Sequence, residues 1–250
     1  MRFTEIIAIA AAGLAAGMIN TVVGSGTLIT FPVLLAFGYA PVTANVSNTI
    51  GLVPGSVSGA IGYRRELIGQ RKQAIRLGSA SVLGGVSGAV LLLALPAAAF
   101  EAIVPVFIGL ALVLIVLQPR LTCLLAEHAA HSAHTGRILL AALYATGVYG
   151  GYFGAAQGIL LLGILGLALP QDLHRTNALK NVLAGLVNGV AGAFFVFAAH
   201  VEWAPAAIIA CSSIVGAQIG ARYGRRLNPV ALRALIVVVG IAAIVHFLAT

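Results

Sequence analysis

The sequence predicts an all-α, polytopic membrane bundle built from two inverted repeats, each a broken or re-entrant helix pair followed by three spanning helices. Three observations lead there. Of the 250 residues, 60% are hydrophobic and only 8% charged, with a mean hydropathy of +1.07. A water-soluble domain carries about 25% charged residues, so the bilayer must be the solvent here. A glycine-rich apolar pattern also occurs twice, as Gly17-Met-Ile-Asn-Thr-Val-Val-Gly24-Ser-Gly26 and as Gly147-Val-Tyr-Gly-Gly-Tyr-Phe-Gly154-Ala-Ala-Gln-Gly158. The arginines, finally, cluster in loops that occupy different places in the two halves.

Apolar segments run over about 4–22, 26–38, 44–63, 77–96 and 100–118, and again over about 137–152, 156–169, 176–199, 205–222 and 230–249. This divides the chain into a first repeat (1–118), a polar cytoplasmic linker (119–136) and a second repeat (137–250). The third to fifth segments of each half approach the roughly 20 residues that cross a bilayer. The first two of each half are shorter or interrupted, and form either two spans or a re-entrant pair. The apolar N-terminal run after Met1-Arg2 passes straight into the first glycine pattern, which argues against a cleaved signal peptide. Gly17 and Gly24 match Gly147 and Gly154 at an offset of 130, Asn48, Gly55 and Gly59 match Asn181, Asn188 and Gly192 at 133, and Gly84 and Gly88 match Gly216 and Gly220 at 132. Three such matches in order signal an internal duplication. Abundant glycine (30 residues) lets helix backbones approach closely where lipid offers no hydrophobic drive.

The net charge of +8 is read as a topology signal rather than a nucleic-acid footprint. Arg64, Arg65, Arg71, Lys72 and Arg76 fall in a loop between the third and fourth segments; Arg222, Arg225, Arg226 and Arg233 surround the one between the ninth and tenth. Both are expected in the cytoplasm. The connectors at 97–99 and 200–204 lack Lys and Arg and have Glu101 and Glu202 in or beside them, so they are expected outside. Equivalent loops then face opposite sides, the repeats are inverted, and both termini are non-cytoplasmic. Tyr63 and Trp203, at span ends, read as interfacial anchors.

Two groups of residues are candidates for a substrate site. The first is the pair of glycine-rich breaks: Gly24, Ser25, Gly26 and Thr27 with Asn20 and Thr21, and Gly154, Gln157 and Gly158 with Tyr149. A helix N-terminus presents bare N–H groups that suit an anion, and transporters build sites from broken, duplicated helices. The glycines alternatively serve close packing alone. The second group opens the third helix of each half: Asn45 and Asn48, three residues apart, and Asn177, Lys180 and Asn181, which share a face. Lys180 is the one Lys or Arg inside an apolar segment, a functional position by default; it could also snorkel to the interface. Tyr149 and Tyr152 flank the second break and either line a pathway or pack with a bonded hydroxyl.

His128, His131 and His134 recur every third residue in the linker, but nothing except Glu127 could complete a metal set, so a solvated linker is the reading. Cys123 and Cys211 form no metal or disulfide pattern, and no metal or cofactor is expected. No catalytic set or Walker motif is present, so neither an enzyme nor a self-contained pump is expected. The absence of a mid-membrane carboxylate weakens a carboxylate proton relay, whereas leaving a cell negative inside favours an anion by about 2.3 kcal/mol per charge per 100 mV.

The Gly17 to Asn20 opening through Gly24-Ser-Gly26 and Pro32, the Ala44-Asn-Val-Ser-Asn-Thr49 stretch, and the repeat Gly154, Gly158 and Asn177-Ala-Leu-Lys180-Asn181 resemble the sulfite exporter TauE/SafE family. The resemblance covers nearly the whole chain. It implies a cytoplasmic-membrane transporter exporting sulfur-containing anions such as sulfite, sulfoacetate or related sulfonates, with a small anionic substrate and the lipid bilayer as partners and no nucleic acid. Ala155-Ala156-Gln157 stands where the first copy has Ser25-Gly26-Thr27, which sets the chemistry of the two breaks apart. A non-transport membrane partner or scaffold is the competing reading; inverted duplication favours transport.

Overall fold

The computed structural model describes residues 1–128, 136–224 and 229–249, with side chains over 1–118, 136–224 and 230–245. Among these, the chain forms ten helices: α1 (Phe3–Val22), α2 (Thr27–Ala36), α3 (Pro41–Gly62), α4 (Arg71–Ala94), α5 (Ala97–His128), α6 (Gly136–Tyr152), α7 (Gln157–Ala168), α8 (Leu173–Ala198), α9 (Trp203–Tyr223) and α10 (Pro229–Ala249). Each apolar segment of the sequence is a helix. Five of them, over 3–22, 71–94, 97–118, 173–198 and 203–223, are long and apolar enough to cross a bilayer. At about 1.5 Å per residue, α2 and α7 reach only about half that distance.

Helix starts differ from those drawn from hydropathy, for local reasons. α4 begins at Arg71, so Arg71, Lys72 and Arg76 lie in its first turns and not in a loop; the Ala74 N–H already bonds the Gln70 carbonyl. Nothing in Arg-Lys-Gln-Ala-Ile-Arg breaks a helix. α8 begins at Leu173 because the Asp172 side chain accepts the His174 and Arg175 N–H groups, a standard N-cap. Those bonds, the Arg175 one foremost, hold the Asp172 carboxyl below its usual range. α5 continues to His128, beyond the apolar stretch that ends near 118. Tyr63 is buried rather than placed at an interface as an anchor, while Trp203 is exposed at the start of α9. His131, His134, Arg225 and Arg226 lie outside the described residues, as do the side chains of Cys123, Glu127 and His128.

The halves interlock reciprocally. α1 packs on α9 and α6 on α4; α3 packs on α9 and α8 on α4; α2 meets α10 and α7 meets α5; α3 and α8 cross each other. Small residues make the close pairs. A Cβ on Gly17 would strike the Ser213 backbone, one on Gly216 the Leu14 carbonyl, one on Gly84 the Tyr144 carbonyl and one on Gly147 the Ser81 carbonyl. Without a hydrophobic drive between helices, such backbone proximity supplies the packing contacts. An aromatic group of the buried Phe31, Phe100, Tyr152 and Phe153 with the half-buried Phe107 joins α2, α5 and the end of α6, with ring centroids 5.2–6.5 Å apart.

One end of the bundle gathers the start of α1, the 37–40 connector and the 199–203 connector. There the Tyr39 hydroxyl donates to Glu5 at 2.7 Å and the Glu202 N–H donates to Ser47 Oγ at 2.9 Å. Desolvation, with Glu5 beside it, pushes the Tyr39 hydroxyl up to about 12. At the other end Arg175 Nη2 donates to the Ile68 carbonyl at 3.1 Å and Gln70 Nε2 to the Arg175 carbonyl at 3.2 Å, while Arg76 lies against the start of α6 at Gly136.

Replacing Gly216 by Ala drives its Cβ into backbone and is expected to destabilise the detergent-solubilised protein by about 1–3 kcal/mol. The control Gly109→Ala meets nothing within 4 Å and is expected to leave stability unchanged or raise it by up to about 1 kcal/mol. Thermal unfolding followed by light scattering separates the two.

Candidate functional site

α1 and α6 each end at a glycine with left-handed backbone, Gly24 at φ 91° and Gly154 at φ 76°, a conformation that glycine adopts without steric cost. The chain then reverses into the half-length helices α2 and α7. The two breaks touch: the Gly158 N–H donates to the Gly24 carbonyl at 3.1 Å, and a Cβ on either residue would collide with the Cα of the other. Only a glycine pair allows this approach. In the second break Ala156 also has positive φ, 59°, a strained state for a residue with a side chain.

Each break leaves backbone donors over. In the first, backbone bonds from N–H groups stop at Gly24 and resume at Leu28, so the amides of Ser25, Gly26 and Thr27 have no backbone acceptor. In the second they stop at Gly154 and resume at Gln157, leaving the amides of Ala155 and Ala156. Ser25, Gly26, Thr27, Ala155 and Ala156 are all buried. Unsatisfied amides in hydrocarbon cost several kcal/mol each. These sit next to the N-terminal, partially positive ends of α2 and α7, where an anion is favoured.

The carbonyl ends of the broken helices are capped by the third helix of the opposite half. Asn177 Nδ2 and Asn181 Nδ2 each donate to the Thr21 carbonyl at 3.3 Å. Lys180 Nζ donates to the carbonyls of Asn20 at 3.1 Å and Thr21 at 3.3 Å. Asn45 Nδ2 donates to the Tyr152 carbonyl at the end of α6 at 3.0 Å. Asn45 and Asn177 thus do equivalent work at an offset of 132, one less than the offset at which sequence matching pairs Asn48 with Asn181. Asn48 instead ties α3 to its own half-helix: Nδ2 donates to Thr27 Oγ1 at 3.4 Å, and its Oδ1 accepts from the Thr30 hydroxyl.

Lys180 is 0% exposed. It does not snorkel to an interface. Its ammonium sits at the partially negative C-terminus of α1, where a cation is favoured, and no described carboxylate pairs with it. The site therefore holds a buried lysine amine, bonded to the end of α1, near a set of bare amides. Several side-chain atoms around the breaks are buried without partners: Ser25 Oγ, Asn45 Oδ1, Gln157 Nε2, Asn177 Oδ1 and Tyr152 OH. Native structures seldom leave such atoms unpaired, and a cluster of them points to an unseen water, ion or ligand.

Tyr149 takes the packed role among its two readings. Its hydroxyl donates to the Ala155 carbonyl at 2.5 Å and its ring packs edge-on against Phe107, which braces the second break. Gln157 folds against Gly150. Asn20 is half-buried and donates to Ser56 Oγ at 3.4 Å; Asn188 donates to the same oxygen at 3.4 Å. Ser56 and Thr30 were not among the sequence candidates. The offset of 132 that pairs Asn45 with Asn177 also pairs Ser56 with Asn188, and Thr30 follows Thr27 by one helical turn.

A family model described as sulfite exporter TauE/SafE matches residues 9–247, and the chain belongs to that family. It is 30% identical over 237 residues to the probable membrane transporter protein ORF9 of a Sinorhizobium species, covering 94% of this chain and 88% of that one. It is 26% identical over 225 residues to the probable membrane transporter protein YfcA of Escherichia coli K12, covering 90% and 82% respectively. A probable membrane transporter protein of Haemophilus influenzae is 25% identical over 235 residues, covering 90% and 88%. No solved structure matches the chain. Family and apolar helices together identify a multi-pass membrane transporter.

The caps should be unequal in cost. Asn45→Ala leaves the Tyr152 carbonyl without a described side-chain donor and is expected to destabilise the protein by about 1–3 kcal/mol. Asn177→Ala leaves Thr21 with Lys180 and Asn181 and is expected to cost less. Thermal unfolding of the two variants in the same detergent gives the order.

Proposed function

We propose that this chain exports small sulfur-containing anions, sulfite or a sulfonate such as sulfoacetate, across the cytoplasmic membrane, binding them where the two breaks meet. The observation that carries the proposal is the junction itself: amides of Ser25, Gly26, Thr27, Ala155 and Ala156 without backbone acceptors, beside a wholly buried Lys180 that has no described carboxylate partner. A buried ammonium and bare amides attract a compact oxyanion and repel a cation. The unpaired acceptors Asn45 Oδ1 and Asn177 Oδ1 suit an anion that retains a proton, as hydrogen sulfite does, or one accompanied by water.

Asn20, Thr21, Gly24, Asn48, Tyr149, Gly154, Gly158 and Asn181 shape and brace this junction, while the amides of Ser25, Gly26, Thr27, Ala155 and Ala156 and the side chains of Ser25, Asn45, Gln157, Asn177 and Lys180 supply the groups that face substrate. The reciprocal pairing of the halves supports two repeats, 1–118 and 137–250, joined by a cytoplasmic linker at 119–136. Their inversion is supported by α1 starting beside Tyr39 and Glu202, and α6 beside Arg76 at the opposite end. The basic end then faces the cytoplasm and both termini face outward. Rocking of one repeat against the other about a central site is the mechanism that such folds use. Outward movement of an anion is favoured by a membrane potential negative inside, so the transport step needs no enzymatic chemistry.

In proteoliposomes, efflux of sulfite or sulfoacetate is expected to require a functional junction. Lys180→Met should lower the rate by about tenfold or more, the equivalent of at least about 1.4 kcal/mol of lost anion binding, while the variant still elutes as folded protein. Absence of flux for sulfite, sulfonates, sulfate and small carboxylates through the unaltered protein would instead support the scaffold reading.

A further inference from the structure

Away from the junction, at the basic end of the bundle, lies a cavity of about 380 Å³ between the start of α4, the start of α6 and the end of α7. Lys72, Gln73 and Arg76 form its polar side, and Leu77, Leu139 and Leu169 are its main apolar residues. Its electrostatics are unbalanced. Lys72 and Arg76 lie in the first two turns of α4, and neither α4 nor α6 has an acidic residue in its first turn. Arg76 Nη2 is 3.5 Å from the point a Cβ on Gly136 would occupy, so a guanidinium abuts the positive end of a second helix. Cations at helix N-termini are unfavourable. The carbonyl end of α7 offers about half a negative charge, against two full cations and two positive helix ends. Lys72 and Arg76 make no ion pair with a described carboxylate.

We infer that this cavity binds an anionic phospholipid, with the phosphate held between Lys72, Arg76 and the start of α6, and acyl chain carbons against Leu77, Leu139 and Leu169. A phosphodiester offsets half of the charge of the two cations and accepts hydrogen bonds from both side chains. The apolar floor selects an amphiphile over a soluble phosphate. Basic pockets between transmembrane helices at the interfacial level have the chemistry to take such head groups. The lipid would wedge together the first helix of the second repeat and the fourth of the first, a pair that the Gly84 and Gly147 contacts also join.

The test is thermal unfolding of the full chain in detergent with added phosphatidylglycerol, phosphatidylcholine or glycerol 1-phosphate. Phosphatidylglycerol is expected to raise the unfolding temperature, and the other two are not. The double variant Lys72→Gln/Arg76→Gln should lose more than half of that shift. The double variant Arg64→Gln/Arg65→Gln, which removes the same charge outside the cavity, should keep it. Equal shifts in both variants, an equal effect of phosphatidylcholine, or full reproduction of the shift by glycerol 1-phosphate would each overturn the assignment. Both altered residues of the cavity are exposed, and folding of each variant is checked by its unfolding transition without lipid.

Discussion

A helix that stops inside a bilayer strands carbonyls at its end and amides at the start of the next, and lipid can pair neither. This chain stops two helices in that way, and its architecture answers the constraint. The last carbonyls of α1 and α6, those of Asn20, Thr21 and Tyr152, are bonded from the opposite half. Asn177, Lys180 and Asn181 reach α1 from the second half, and Asn45 reaches α6 from the first. Each half therefore bonds terminal carbonyls of the other. The amide ends receive no such service. The bonding asymmetry between carbonyl and amide ends, caps on one and vacant donors on the other, is what the proposed anion site rests on.

The two breaks are not chemically equal, although they are built alike. The end of α1 receives an ammonium and two amides, the end of α6 a single amide. Ser25 and Thr27 bring hydroxyls to the first break, where the second has Ala155 and Gln157. Side-chain donors are thus concentrated on one side of an approximately symmetrical frame. The reciprocal close packing of α1 with α9 and α6 with α4, made by glycines at matching positions, keeps that frame together while leaving the junction to differ. Gly24 and Gly158 have a separate duty: they let two main chains touch, so that both sets of free amides lie at one junction.

Much of this was legible in the residues. Hydropathy located each of the ten helices, because in lipid an apolar run and a helix are nearly the same statement. The duplicated glycines marked the breaks for the same reason that makes them structural: positive φ at Gly24 and Gly154 excludes side chains. The shared face of Asn177, Lys180 and Asn181 was visible as helical spacing. Their partners were not, since Thr21 lies about 160 positions away and periodicity says nothing about which element a face meets. The interface reading of Lys180 was open from its nearness to a helix start, and its burial against α1 sets that reading aside. Helix starts rich in Arg and Lys were missed at α4 because polarity was taken for a loop. Tyr63 was misjudged because its position at a span end does not reveal its burial.

The central claim is that an anion sits at the junction of the breaks, and the most direct test is to see one there. Crystals grown in lipid and soaked with selenite, an anomalous scatterer with the shape and charge of sulfite, should show an anomalous peak about 3 Å from the free amides of the breaks, close to Lys180. An anomalous signal confined to the basic cavity beside Arg76, or none at saturating selenite, would contradict the account.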